Sequence, residues 1–134
     1  VSSKSKAEAL PEGLHPQARI GIRLFNEGKY YPAHDHLELA WRDTPGEEGL
    51  LYKAVLQIGI AYYHIRRGNT RGALKMFRRA RRNLARLPED LLGIDLIQLQ
   101  QDADRIEKQT RANRQLRQDP QNNLRFPRLP LRNT

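Results

Sequence analysis

The chain has no cysteine in its 134 residues. That absence excludes disulfides, thiolate nucleophiles and cysteine-ligated zinc, and it leaves the redox compartment open while fitting a reducing cytosol. Long apolar runs are missing as well. The most hydrophobic stretch, Leu50 to Ile65, is interrupted by Lys53, Gln57 and His64, whereas a membrane helix needs about 18 consecutive apolar residues. The opening VSSKSKAEAL lacks the apolar segment of a secretory signal. Together these features predict a cytoplasmic protein with no transmembrane segment. Acidic side chains are scarce, 15 Asp and Glu against 24 Lys and Arg, and the net charge is +9. The excess is uneven, because residues 109–134 hold six arginines against Asp119 alone. Strand signal is also absent: no segment alternates polar and apolar residues with β-branched enrichment.

What the chain does contain is helical punctuation. Its length is that of one ordinary domain, able to build a core without staples. Residues 1–14, rich in Ser and Lys with Pro11 and Gly13, read as a flexible lead-in. Pro16 suits a first helical turn, Ile20, Leu24 and Phe25 follow at helical spacing, and Gly28 offers a left-handed stop, which predicts a helix over 16–27. Pro32 opens a second helix with Ala33, Leu37, Ala40 and Trp41 on one face, fading at Asp43. In TPGE, Thr44 suits a cap, Pro45 the first helical position and Glu47 a capping box. The helix that follows, LLYKAVLQIGIAYYHI, is apolar on nearly all sides and so predicts a central buried element; Arg66 and Arg67 complement its C-terminal dipole before Gly68 ends it.

Asn69 or Thr70 caps a fourth helix running to about Leu87. After the turn LPEDLLG, Asp95 with Gln98 caps a fifth, whose Leu96, Leu99, Ala103 and Ile106 share a face. The pattern then lapses into RQDPQNNLRFPRLPLRNT, with three prolines. This basic Pro/Arg-rich tail, 109–134, is either disordered or an arm lying on something else. The fold class is therefore all-α: a compact bundle of about five helices over 15–108, built from two antiparallel helical hairpins.

Those hairpins share a spacing. Ala33, Leu37 and Ala40 follow Gly28 at the same offsets at which Ala73, Phe77 and Ala80 follow Gly68; Gly21 and Ala61 each stand twelve residues before the first alanine. Small residues at this spacing let antiparallel helices approach closely. The arrangement resembles the tetratricopeptide hairpin, although the offset of 40 residues exceeds that family's 34 and two units are too few for a solenoid. A second resemblance is more specific. FNEGKYYPAHDHLELAWR followed by LLYKAVLQIGIAYYHIRRGNTRGALKMFRRA is similar to domain of unknown function 309 (DUF309). Phe25, Asn26, Gly28, Tyr30, Ala33, His34, Asp35, Leu37, Glu38 and Trp41 carry the first block; Gln57, His64, Gly68, Asn69, Gly72 and Ala73 carry the second. The likeness spans roughly residues 17–106, leaves out the tail, and implies an all-helical fold without an established reaction.

Two groups of residues are candidates for function. His34, Glu38 and Trp41 lie together at the edge of the second helix's apolar face, beside Asp35, and Lys53, Gln57 and His64 form a polar stripe on the third. If those edges meet, His34, Glu38, Gln57 and His64 are shut in together. A structural seam is the preferred reading, since carboxylate-to-imidazole and carboxylate-to-indole bonds commonly satisfy polar groups between helices. The alternatives are a divalent metal on His34, Glu38 and His64, or a metal-free His/Glu general base; there is no HExxH, and no cofactor is predicted. His15 and His36 read as solvated or capping. The second group is Arg71, Lys75, Arg78, Arg79, Arg82 and Arg86, one face of the fourth helix with no acid in it. With the arginine tail it suits nucleic acid or, less well, an acidic protein or membrane surface. The apolar third helix needs further cover, which a homodimer or the tail, through Phe126, Leu129 and Leu131, would supply. The leading expectation is a non-enzymatic binding or scaffold domain.

Overall fold

The computed structural model describes residues 9–112 and 125–132. It contains α1 (Pro16–Asn26), α2 (Tyr30–Asp43), α3 (Gly46–Arg66), α4 (Thr70–Leu84), a small hairpin of β1 (Asp90–Leu91) and β2 (Ile94–Asp95), and α5 (Leu96–Ala112). Each helix packs against the next in sequence, as short connections between neighbouring helices dictate. The all-α bundle is what the helical punctuation predicts. No helix among the described residues is long and apolar enough to cross a membrane.

The two hairpin turns are built alike. Gly28 N–H donates to Phe25 O (2.9 Å) and Lys29 N–H to Leu24 O (2.8 Å); forty residues on, Gly68 N–H donates to Ile65 O (3.0 Å) and Asn69 N–H to His64 O (2.8 Å). This bond pair closes a helix with a left-handed residue, and the two glycines have φ of +79° and +75°. The small and large residues that follow each turn, Ala33, Leu37 and Ala40 in α2 and Ala73, Phe77 and Ala80 in α4, are all buried. α3 lies between α2 and α4 and buries residues all around its circumference, among them Leu51, Val55, Ile58, Tyr62 and Ile65.

Several boundaries differ from expectation. α1 stops at Asn26, with Glu27 as its cap. α2 starts at Tyr30, two residues before Pro32; a first turn has no use for the missing proline N–H, so Pro32 is accommodated there. Thr44 does not cap α3 and Pro45 is not its first residue: Pro45 occupies the cap position, with no side-chain capping bond. α4 ends at Leu84, and Arg86 and Leu87 bond back three residues instead of four, to Asn83 and Leu84. The capping pair at α5 is as expected, Gln98 N–H donating to Asp95 Oδ1 at 3.0 Å, but the helix continues through Ala112, past the expected domain end at 108.

The β hairpin has no counterpart in the sequence reading. Its two central residues, Leu92 and Gly93, have φ of +55° and +75°, the two-residue turn that matches strand twist. Leucine is a poor residue for its first position, which hides the turn from inspection. Of the lead-in, residues 1–8 lie outside the described residues, whereas the rest is attached: Leu14 is in the core and Pro11 O accepts from Arg19 Nη1 at 2.7 Å.

Residues 113–124 and 133–134 of the tail likewise lie outside the described residues. Residues 125–132 form an extended arm on the bundle. Phe126 stacks on Tyr62 of α3 with centroids 4.6 Å apart and planes 12° apart. Leu129 is buried and its N–H donates to Asn26 Oδ1 at 2.7 Å. Leu131 pairs with Ile94 of β2, flanked by bonds from Asp95 N–H to Pro130 O and from Arg132 N–H to Gly93 O. The arm thus meets α3 through Phe126, whereas Leu129 is fastened at the end of α1 and Leu131 at β2.

Candidate binding surfaces

The polar stripe of α3 is shared between its two neighbours. At one end Lys53 Nζ sits 4.6 Å from the centroid of the Trp41 ring on α2. In the middle, buried Gln57 accepts from Asn83 Nδ2 of α4 at 2.7 Å. At the far end His64 Nδ1 lies 3.4 Å from Asn69 Nδ2, just before α4. The α2 residues meet chiefly one another. His34 Nδ1 is 3.3 Å from Asp35 Oδ1, His34 Nε2 is 3.8 Å from Glu38 Oε1, and Arg42 binds Glu38 Oε2 at 2.8 and 3.1 Å.

Of these four, His34 and Glu38 meet each other, whereas Gln57 bonds Asn83 and His64 lies against Asn69. The edge is also half-open, since the His34 and Glu38 side chains are each 31% exposed. Burial holds the His64 imidazole below its ordinary range. Among the described residues no three His, Asp or Glu side chains are grouped so as to hold a metal, so His34, Glu38 and His64 do not form a ligand set. His15 caps α1, accepting from Gln17 N–H at 3.0 Å, and reaches Asp43 at 2.7 Å; His36 Nδ1 bonds Gln17 Oε1 at 2.7 Å.

The second candidate surface is better developed. Arg71, Lys75, Arg78, Arg79, Arg82 and Arg86 are all exposed. Arg71, Lys75 and Arg78 line a cleft of about 870 Å³ with Thr70, Leu74 and, from α5, Arg111. Among the described residues none of the six ridge cations pairs with a carboxylate. The nearby acids of α5 are held by Arg81 and Arg111 and not by the α4 face. Glu107, only 4% exposed, is gripped by Arg81 and by Arg111 at 3.0 Å, and Asp104 lies 3.6 Å from Arg81. The two α5 acids that approach α4 thus meet Arg81 on its flank, and although Glu107 also pairs with Arg111 of the cleft, Arg71, Lys75 and Arg78 keep the cleft positive.

Neither Arg111 nor Glu107 is marked by the sequence, the first because it stands in the Arg-rich stretch after residue 108 and the second because a buried acid has no periodic signature. Arg66 is not marked either. Its place at the end of a helix suggests a solvated cation facing the dipole, yet it is 3% exposed. It donates to Gly28 O, and its guanidinium lies 4.6 Å from the Tyr30 ring centroid. Arg125 of the arm donates to Glu27 O beside it. Burial pushes the Tyr30 hydroxyl up to about 12, against the opposing pull of Arg66.

The model of one protein family, described as Domain of unknown function (DUF309), matches residues 19–76, from within α1 to within α4. Arg78 and Arg111 of the cleft, and the arm, lie beyond the match. No curated protein matches the chain.

Proposed function

We propose that the protein, whose residues 19–76 match the DUF309 family model, acts by binding, with the basic face of α4 and its cleft as the working surface and a nucleic-acid backbone as the ligand. The observation that carries this reading is the set of six exposed cations, five on α4 and Arg86 just past its end, that have no carboxylate partner among the described residues, three of them lining the cleft. Like charges gathered on one face repel one another, and a row of phosphates relieves that repulsion while releasing its own counterions. Arginine predominates on the face, and its planar fork suits phosphate oxygens better than a point charge does. The His34–Glu38 edge fits a supporting role, because the carboxylate that would orient His34 for base catalysis is held by Arg42.

The test is fluorescence anisotropy with labelled mixed-sequence RNA and DNA over a salt series. Affinity should fall linearly on logarithmic axes as salt rises. Replacing both Arg71 and Arg78 by alanine should weaken binding to every sequence and reduce the slope by about one per contact removed. An absence of salt-dependent binding at low ionic strength would sink the reading.

A further inference from the structure

At the end of the domain where α3 gives way to α4, rings gather on the surface. Tyr31 is 56% exposed although it stands in the first turn of α2. Its ring lies 5.2 Å from that of half-buried Tyr63 on α3 and, nearly parallel at 19°, 6.1 Å from the His34 imidazole. His64 lies 6.0 Å from Tyr63, and the exposed guanidinium of Arg67 sits 5.7 Å from the Tyr63 centroid. A single exposed tyrosine needs no explanation. Four adjoining rings with a cation over one of them are a different matter, because they present flat apolar area and positive charge together. The Gly68 turn carries this patch into the cleft: His64 meets Asn69, Asn69 caps α4 by accepting from Gly72 N–H, and Thr70 and Arg71 line the cleft.

We infer that Tyr31, Tyr63 and Arg67 form a stacking platform for unpaired bases, which makes the ligand of the α4 surface a single-stranded nucleic acid. The inference rests on the binding function proposed above and adds to it a choice between single strand and duplex. Bases in a duplex have their faces covered, so only an unpaired base can lie on Tyr31. Its phosphates then continue past Arg67 toward Arg71. Stacking of this kind tolerates any sequence, since every base has a π face.

The experiment uses the full chain, a labelled mixed-sequence single-stranded RNA of about 20 nucleotides, longer than common single-strand site sizes, and the duplex of the same sequence. Wild type should bind the single strand more tightly than the duplex. Tyr31→Ala should weaken single-strand binding by about thirtyfold, the middle of the range for one stacked base, and leave duplex binding unchanged. Tyr31→Trp should restore it, whereas Tyr31→Leu, which keeps apolar bulk without the ring, should not. Circular dichroism of each variant checks that the fold is intact. If Tyr31→Ala changes neither affinity while Arg71→Ala with Arg78→Ala weakens both, the platform is overturned and the binding function stands. If neither nucleic acid binds, both are overturned. A wild-type dimer that Tyr31→Ala converts to monomer would also overturn the platform, assigning the rings to a second copy of the chain.

Discussion

The two glycine turns share one backbone and serve opposite ends. Gly28 is buried: Arg66 donates to its carbonyl, Arg125 to that of Glu27, and a methyl group at Gly28 would come within 2.8 Å of Arg66 Nη2 and 2.9 Å of Arg125 Nη1. Gly68 and the residues on either side of it, Arg67 and Asn69, are exposed. The first turn is where the arm, α2 and α3 are fastened together. The second leaves its charged and aromatic neighbours in solvent, at the start of the basic helix. Identical local geometry has thus been used once for stability and once for a free surface, and the arginines show it most plainly: Arg66 is enclosed, Arg67 and Arg71 are open.

The largest expected effect separates those arginines. Arg66→Ala removes a charge-assisted bond to a carbonyl, a contact with the Tyr30 face and buried volume, and should destabilise the fold by about 2–4 kcal/mol. Arg71→Ala should change stability by no more than about 0.5 kcal/mol. Urea unfolding followed by circular dichroism measures both, and equal losses would erase the distinction. A finer comparison sets the glycines side by side. Gly68→Ala should cost about 1–2 kcal/mol, the penalty for an L-residue in left-handed backbone. Gly28→Ala carries that penalty and must also displace two guanidinium groups, so its melting temperature should fall further.

The smallest effect concerns the edge of the second turn. Because burial depresses the His64 pKa, the unfolded chain takes up that proton first as pH falls, and proton uptake by the unfolded state lowers stability. The contribution is whole above the ordinary histidine value of about 6.5 and declines as pH drops below it toward the depressed folded value. His64→Gln should flatten this part of the profile, as read from urea midpoints across the mildly acidic range. A variant profile identical to wild type would show that the imidazole is as well solvated folded as unfolded.

Much of the fold was legible beforehand. Gly28 and Gly68 marked the turns, the unbroken apolar circumference of α3 marked the centre, and Asp95 with Gln98 marked the start of α5. Each is a local rule: a left-handed residue stops a helix, an apolar cylinder needs covering, an acceptor at the cap satisfies a free N–H. The candidate sites were legible only in part. The α4 ridge could be read because one helix supplies all of it. The stripe on α3 could be listed but not assigned, since nothing within the helix says that Lys53 would meet Trp41 on one side and Gln57 would meet Asn83 on the other. Arg66 and Arg67 are adjacent and identical in type, so composition could not tell which would be enclosed.

The sequence by itself determined the helical segments, the repeated turn and the concentration of positive charge on α4, because each depends on residues within a few positions of one another. Tertiary structure decided which polar groups became partners, where the arm lay, and that Arg111 would join the α4 cleft while Glu107 was taken up beside it. Those outcomes turn on the rotation of whole helices about their neighbours. A few tens of degrees there exchange a buried guanidinium for a solvated one without altering any local rule.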